Sequence, residues 1–325
     1  MAHSCHVGMA LVVVTGASGF VGSSLSTSLA AAGFRVRAAV RAGTPAELPG
    51  CSGVERAILG DLSARPGWSS VLTNVDCVVH CAARAHVMHE TAGEALAAYR
   101  AVNVDGSRRL AEQAAAAGVR RLVYLSSIKV NGEQTALGAP FSLSDRPAPE
   151  DGYGVSKWEA EQALWDVSAK TGLEVVVLRP PLVYGPGVKG NLARLLKLVR
   201  LGLPLSFSAV QNKRSLIGLD NLVDLLIRCV DHPEAAGQTF LVSDGEDLST
   251  PDLIRHMAAA MNRSPRLFPL PISLLRLAGS ASGKRAEIDR LVGSLQIDSS
   301  HTRQVLSWAP PVSVQEGIRR MVQGA

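Results

Sequence analysis

The sequence predicts an α/β fold in which a doubly wound parallel sheet carries a smaller, interleaved α/β lobe. Three observations lead to this prediction. Apolar runs rich in β-branched residues alternate with alanine-rich helical stretches, as in parallel sheets that helices cover on both faces. A glycine-rich segment, TGASGFVG, directly follows the first apolar run. After Arg179 the pattern changes to a Pro and Gly cluster that extends through Gly190, which indicates a second lobe.

The predicted elements follow one another in a regular order. A helix begins after the glycines at Phe20 and extends to Ala32, a long helix spans residues 93–117, and a third helix carries Tyr153 and Lys157. Each strand is a short and nearly continuous apolar run, as expected for strands buried on both faces. The predicted strands are Ala10 to Thr15, Arg35 to Val40, Val54 to Ile58, Val75 to His80, Arg121 to Ser126 and Glu174 to Leu178.

Composition narrows the class of protein. With 325 residues, 47% of them hydrophobic and 19% charged, the chain is expected to be soluble and globular. We expect neither a secretory signal nor a membrane span. Five cysteines without a CxxC motif predict reduced thiols in a cytoplasmic protein. The net charge of +5 comes from scattered residues, and aromatic residues make up only 4% of the chain. Both observations favour a small anionic ligand over nucleic acid.

The glycines between the first strand and first helix predict a dinucleotide site. Glycine permits a tight turn and a close backbone approach, and a helix N-terminus offers free N–H groups to a pyrophosphate. The spacing is GxxGxxG rather than the usual GxGxxG, and a purely structural role for the glycines stays open. The residues predicted to hold the cofactor here are Gly16, Ser18, Gly19, Phe20, Val21 and Gly22.

The end of the second strand bears on the choice of cofactor. NAD sites usually place Asp or Glu there to bind the ribose 2′-hydroxyl, whereas this strand ends in Arg41. An arginine can bind a 2′-phosphate through two parallel hydrogen bonds. We therefore predict NADPH, with NAD as the alternative, and expect Asp61 and Leu62 to meet the adenine; a solvated Arg41 is the competing interpretation.

The domain division follows from these patterns. Two later strands, Ser215 to Leu219 and Gln238 to Val242, are predicted to return to the main sheet. We therefore assign residues 1–8 to a disordered extension, residues 9–180 and 215–245 to a Rossmann-type NAD(P)-binding domain, and residues 181–214 and 246–325 to a second lobe.

Tyr153 and Lys157 are candidates for acid–base chemistry. Four residues apart on a helix, they share one face. A free phenol has a pKa of about 10, and a neighbouring ammonium group lowers it into a useful range. The pair is therefore a candidate general acid or base. On spacing alone, two residues on one exposed helix face remain the alternative.

Three ordered motifs resemble the extended short-chain dehydrogenase/reductases: TGASGFVG, LSSIKVNGE at 125–133 and YGVSK at 153–157. NVDGS, LRPPLVYGPG and VLSW extend the resemblance over essentially the whole chain from Met9. Within the group, the chain looks most like UDP-glucose 4-epimerase relatives of the NAD-dependent epimerase/dehydratase family. HCAARAHVM together with SSIKVNGE looks like the nucleotide-sugar 4-ketoreductases of bacterial O-antigen synthesis.

The resemblance implies roles for particular residues. It implies that Ser127, Tyr153 and Lys157 are catalytic. It also implies a homodimer that forms through the two long central helices. It implies cofactor contacts at Cys81, Ala82, Ala83 and Pro180 besides those above. For a nucleotide-sugar substrate it implies Ser127, Asn191, Leu205, Phe207 and Arg214, and the nearest match to a second diphosphate-binding arginine is Arg290.

Several histidines lie in and just after the fourth predicted strand. Arg84 and His86 follow the fourth strand, on the side where ligands of doubly wound sheets bind, and are predicted to contact the sugar. His80, His86 and His89 lack a completing carboxylate or cysteine pattern, so we predict no metal site.

The reaction is inferred from what the second motif contains. Family dehydratases carry an Asp-Glu pair where this chain has Ile128 and Lys129, so elimination of water lacks its acid and base. Arg41 then favours an NADPH-dependent 4-ketoreductase of a UDP-4-keto-6-deoxy-hexosamine, forming a sugar such as UDP-N-acetylquinovosamine or UDP-N-acetylfucosamine for O-antigen synthesis. An NAD-dependent UDP-sugar 4-epimerase and a non-catalytic dinucleotide sensor are the alternatives.

Overall fold

A computed structural model describes residues 10–44, 53–64, 67–85 and 92–324 of the chain. Its main feature is a seven-stranded parallel sheet in the order β3-β2-β1-β4-β5-β6-β9. This confirms the predicted fold class, since helices flank the sheet in the Rossmann-like manner. The strands are β1 (Leu11–Thr15), β2 (Arg35–Arg41), β3 (Glu55–Leu59), β4 (Cys77–His80), β5 (Arg121–Leu125), β6 (Glu174–Arg179), β7 (Leu182–Tyr184), β8 (Leu216–Gly218) and β9 (Thr239–Leu241).

Helices cover both faces of this sheet. One apolar core packs α1 and α7 against one face and the other packs α4 and α5 against the opposite face. The helices are α1 (Phe20–Ala31), α2 (Ser69–Leu72), α3 (Ala92–Tyr99), α4 (Gly106–Ala116), α5 (Gly152–Thr171), α6 (Gly190–Arg200), α7 (Leu219–Asp231), α8 (Thr250–Ala260), α9 (Ile272–Ala281), α10 (Arg285–Val292), α11 (Ser300–Val305) and α12 (Val314–Gln323). A π-helical segment, Arg100–Asp105, joins α3 to α4, so the predicted long helix is continuous but not uniform.

A third apolar core lies outside the main sheet. It consists of side chains from α6, α8, α9 and α12 together with residues such as Tyr184, Leu205 and Phe207. Here one sequence prediction was wrong: β8 does not join the main sheet but pairs in parallel with β7 in a separate two-stranded sheet. The main sheet is instead extended by β9, which pairs with β6. A three-residue apolar strand gives no signal of its partner, because any parallel neighbour buries it equally well.

The C-terminal residues of the chain do not all belong to this third core. Leu306 and Trp308 are buried in the core that α1 and α7 share with the main sheet, and the Trp308 indole donates to Asp224 at 2.7 Å. The domain division therefore stays a prediction, and residues 1–8 lie outside the described part. Among the described residues, no helix has the length and hydropathy needed to cross a bilayer.

Candidate active site

The backbone packs tightly around the glycine turn, so no side chain fits at Gly16 or Gly22. Gly16 has a φ of +66°, and a Cβ there would lie 2.8 Å from the backbone nitrogen of Ala82. A Cβ on Gly22 would lie 2.2 Å from the carbonyl oxygen of Gly16. Because Gly19 begins α1 without a side chain, the N–H groups of the first turn face the loop. We call this turn, together with the N-terminus of α1, the glycine cradle.

A buried polar chain supports the strand ends below the cradle. His80 contacts the Thr15 hydroxyl through Nδ1 at 2.6 Å and the Ser107 hydroxyl through Nε2 at 2.9 Å. Burial and then the charge of Lys157 lower the pKa of His80 to about 3, so the ring is neutral at physiological pH. It therefore has a structural role, and the described residues contain no cluster of three metal-ligating side chains. His86 and His89 lie outside the described residues.

The remaining predicted cofactor residues line the same edge. Ser18 is exposed, Phe20 and Val21 are half-buried in the first turn of α1, and Leu62 begins a 3-10 turn after β3. Ala82 donates its N–H to the Thr15 hydroxyl at 3.2 Å, Cys81 and Ala83 flank it, and the Pro180 carbonyl accepts from Ile128 at 2.9 Å. Burial raises the pKa of the Cys81 thiol to about 12, so it is not a nucleophile.

Arg41 shares its surroundings with a carboxylate. Hydrogen bonds from Ser63, and more weakly the charges of Arg41 and Arg84, lower the pKa of Asp61 despite its partial burial. The guanidinium therefore acts electrostatically on an ionised Asp61, the carboxylate that follows β3. That carboxylate repels a 2′-phosphate, so Arg41 is not the isolated cation that the sequence suggested.

A close backbone contact brings the Tyr153 helix against the turn after Ser127. Asp151 caps α5 by accepting from the Gly154 N–H at 2.7 Å. A Cβ on Gly154 would lie 2.7 Å from the carbonyl oxygen of Lys129. Only glycine permits this approach, so the YGVSK motif packs on the segment that begins with Ser127.

Lys157 is fully buried and makes two hydrogen bonds. Its Nζ donates to the Leu125 carbonyl at 2.7 Å and to the Tyr124 hydroxyl at 3.2 Å. Burial lowers the pKa of Lys157 to about 8. Tyr124 was not identified from the sequence.

The expected effect of Lys157 on Tyr153 is not what the structure shows. The ammonium nitrogen lies 5.9 Å from the centre of the Tyr153 ring and is engaged by Leu125 and Tyr124 instead. Burial, then the charges of Asp151 and Tyr99, raise the pKa of Tyr153. The prediction of a lowered phenol pKa was therefore wrong for this arrangement, because burial raises the pKa and the ammonium group bonds to other partners.

Lys129 is an ion-pair centre rather than a solvated loop charge. Its Nζ lies 2.6 Å from Glu133 and also pairs with Asp151. Burial raises the pKa of Asp151, but hydrogen bonds from Lys129 and Gly154 outweigh it, so the pKa is lowered overall. The Asp-x-x-Gly start of α5 is an N-cap signal that could have identified Asp151.

The predicted substrate residues fall into two groups. Arg214 is largely buried, donates to the Gly293 carbonyl at 3.0 Å, and has a pKa lowered to about 10 by burial and then by Arg290. Arg290 lies 3.9 Å from Glu133, so two guanidinium groups and one carboxylate converge here. Asn191 is half-buried at the start of α6. Leu205 and Phe207 are core residues, 8% and 7% exposed.

Known proteins similar to this chain share its fold and much of its sequence. Residues 12–243 match the NAD dependent epimerase/dehydratase family. Over 314 residues the chain is 46% identical to a UDP-glucose 4-epimerase of Vibrio cholerae, covering 96% of this chain and 94% of that protein. A UDP-glucuronic acid 4-epimerase from Bacillus cereus, solved in complex with NAD, is 21% identical with a TM-score of 0.78, covering 97% and 96% of the two chains. MoeE5, solved with UDP-glucuronic acid and NAD, is 26% identical with a TM-score of 0.77, covering 96% and 98%.

These findings overturn the 4-ketoreductase prediction. A relative that shares 46% of its residues over almost the whole chain is a UDP-glucose 4-epimerase, which favours the epimerase alternative. Both solved structures named above contain NAD, and nothing supports NADPH as the cofactor. The error arose from Arg41, whose electrostatic interaction with Asp61 became visible only in the fold.

Proposed function

Because the chain belongs to the NAD-dependent epimerase/dehydratase family, we propose that it is an NAD-dependent 4-epimerase of a UDP-sugar. The observation that carries the proposal is the identity of 46% to a UDP-glucose 4-epimerase over 96% of this chain. The absence of an Asp-Glu pair at Ile128 and Lys129 agrees with it, because those carboxylates would be needed for elimination.

The dinucleotide is held by the glycine cradle in this proposal. Gly16 and Gly22 permit the tight turn that precedes α1. The first turn of α1 binds the pyrophosphate through its N–H groups, and Asp61 contacts the adenosine. Bound there, NAD would supply the hydride acceptor and donor that oxidation and reduction of the sugar at C4 require. The fit is supported by the clash that any side chain at Gly22 would create with the Gly16 carbonyl.

Tyr153 and Ser127 act on the sugar O4, the first by proton transfer and the second by hydrogen bonding. Tyr153 takes the hydroxyl proton as C4 is oxidised and gives it back when C4 is reduced. Ser127 donates a hydrogen bond to the oxygen as charge develops on it. Because the phenol pKa is raised, Tyr153 must first release its own proton to solvent before it can take the sugar proton, and a nearby positive charge would favour that release.

Lys157 supplies that positive charge. With a pKa of about 8, it carries a proton in most molecules at neutral pH. Its bonds to Tyr124 and Leu125 fix the nitrogen on the Tyr153 side of β5. From there it orients the nicotinamide ribose and lowers the phenol pKa only when the ring moves closer.

Substrate binding uses the second lobe. Arg214, supported by Arg290, binds the diphosphate, and Asn191 hydrogen-bonds the nucleotide sugar. Leu205 and Phe207 form the apolar wall behind the base. Arg84 is proposed to face the sugar, and the chain is proposed to act as a homodimer.

The test is interconversion of UDP-sugars without added reductant. Purified protein is incubated with UDP-glucose, UDP-galactose and their N-acetylamino counterparts, and products are identified by NMR. We expect an equilibrium mixture of C4 epimers and NAD released on denaturation, with no net consumption of nicotinamide. Binding of NAD without any turnover would instead indicate a sensor, and would refute the proposal.

A further inference from the structure

The second lobe exposes an unusual share of the large apolar side chains. In the part of the chain that the structure describes, ten such side chains are exposed. Six of them belong to two segments, 198–203 and 268–277. We call these six the lobe patch: Leu198, Leu201, Leu203, Phe268, Leu274 and Leu277. Single exposed apolar residues need no explanation, but clusters mark interaction surfaces.

The two segments are joined through their backbones. Leu205 donates its N–H to the Arg266 carbonyl at 2.8 Å, and Phe268 donates to the Leu205 carbonyl at 3.1 Å. Arg263 reaches the Arg200 carbonyl at the end of α6. The end of α6 and the segment that leads into α9 are therefore neighbours.

Helix α9 contributes an apolar stripe that faces away from the protein. Leu275 and Gly279 are buried against the lobe, whereas Leu274 is 48% and Leu277 is 65% exposed. Ala278 and Ala281 are exposed as well, and the spacing of 274, 277, 278 and 281 places all four on one face.

Cations predominate in sequence around the lobe patch, although Asp289 of α10 pairs with Arg276 at 3.0 Å and with Arg285 at 2.8 Å. Residues 261–286 contain five cations and no Asp or Glu, which equals the net charge of +5 for the whole chain. Residues 182–219, which include the other half of the patch, contain six cations and again no acidic residue. Besides these two paired arginines, the cations nearest to the patch in sequence are Lys197, Arg200, Arg263, Arg266 and Lys284.

We propose that the lobe patch docks on an anionic lipid bilayer surface. Leucine and phenylalanine side chains enter the boundary between head groups and acyl chains, while the surrounding cations meet the lipid phosphates. A second copy of this chain fits less well, because it would bring the same cations face to face. The docking does not depend on the proposed enzymatic activity.

The experiment is co-sedimentation with vesicles. Wild-type protein is mixed with phosphatidylcholine vesicles that contain or lack 30% phosphatidylglycerol (about one anionic lipid in three, a level at which surface charge attracts basic segments). We expect binding to the anionic vesicles only, and its loss at about 0.5 M salt, where charges are screened within a few ångströms. No binding to anionic vesicles at low salt would overturn the proposal.

Variants separate the apolar and cationic contributions. Leu274→Glu/Leu277→Glu is expected to weaken binding at least about tenfold, because two leucines no longer leave water. Arg266→Gln/Lys284→Gln is expected to weaken it roughly 25-fold, about fivefold per cation. The matched control is Leu137→Glu, since Leu137 is 62% exposed but lies outside the patch, and it should bind as wild type.

Two results contradict the proposal. One is undiminished vesicle binding by Leu274→Glu/Leu277→Glu. The other is a lower oligomeric mass of that variant in sedimentation equilibrium without lipid, which would show that a second copy covers the patch. Turnover of a soluble UDP-sugar and the thermal midpoint, both expected to match wild type, verify that the variants are folded.

Discussion

At the scale of single residues, the hydroxyl of Tyr153 is the atom on which the proposed reaction depends. Tyr153→Phe removes only the proton carrier, so we expect turnover to fall at least about a hundredfold with little change in UDP-sugar affinity. Tyr99→Phe is the matched control, because Tyr99 packs edge-on against Tyr153 with ring centres 6.0 Å apart and touches the site through its ring. Turnover of Tyr153→Phe at the wild-type level would refute the assigned role.

The buried ammonium of Lys157 makes the free energy of unfolding depend on pH in the alkaline range. Its folded pKa of about 8 lies below the ordinary value of 10.5, so between these values the unfolded chain binds more protons. Stability is therefore expected to rise with pH in this window. Lys157→Met should remove this rise, which thermal melts at pH 8 and pH 10 would detect as a smaller difference than in wild type. An equal pH dependence in both proteins would show that the lysine is not buried as described.

The residue scale is also where sequence reasoning failed most. Tyr153, Lys157 and Ser127 could be proposed because a short spacing and ordered motifs identify them. Tyr124 could not, because its contact with Lys157 joins β5 to α5. The effect of Arg41 on Asp61 could not either, because it arises between the ends of β2 and β3. Contacts across strand ends are set by the fold rather than by local sequence.

At the scale of elements, the approach of α5 to the turn after Ser127 holds the site together. Gly154→Ala would place a Cβ 2.7 Å from the Lys129 carbonyl, forcing the helix outward at a cost of about 1–3 kcal/mol. We expect a lower melting temperature and reduced turnover. Gly152→Ala, two residues earlier on the same helix, is the control. Its Cβ would have its nearest neighbour at 3.6 Å, so the substitution should leave the melting temperature and turnover nearly unchanged.

A buried ion pair fixes the other end of this contact. Glu161 on α5 is fully buried, pairs with Arg179 of β6 at 2.6 Å and 3.0 Å, and accepts from the Ser126 hydroxyl at 2.5 Å. Glu161→Gln leaves the guanidinium charge uncompensated, which is expected to lower the free energy of unfolding by about 3–5 kcal/mol.

The same helix offers a matched control for that prediction. Glu159 pairs with Arg100 at the surface at 2.6 Å, and Glu159→Gln is expected to cost at most about 1 kcal/mol. Urea denaturation of both variants measures the difference. Equal losses would mean that the buried pair is no more important than the exposed one.

Elements were predicted well wherever hydrophobic pattern alone decides. The six strands from β1 to β6 were each found within a few residues, because a β-branched apolar run between turn residues has few alternatives. The partner of β8 was not predictable, since three apolar residues specify neither the neighbour nor the sheet.

At the scale of the whole molecule, Asp244 links the main sheet to the core of the second lobe. It follows β9 and accepts hydrogen bonds from the Tyr184 hydroxyl at 2.7 Å, from the Gly218 N–H and from Asn221. Tyr184 belongs to the core of the second lobe. Asp244→Ala leaves these donors unpaired, at a cost of at least about 2 kcal/mol. We expect calorimetry to resolve two transitions in place of one, and a single unchanged transition would contradict this coupling.

The position of β9 has a consequence for how the chain reaches its native state. Strands β6 and β9 are hydrogen-bonded neighbours, but residues 180–238, including β7, β8 and helices α6 and α7, lie between them in sequence. Closing such a long loop costs entropy before the pairing returns any energy. The edge of the sheet should therefore form last on refolding, and until then β6 presents an unpaired edge to which a strand of another chain can add.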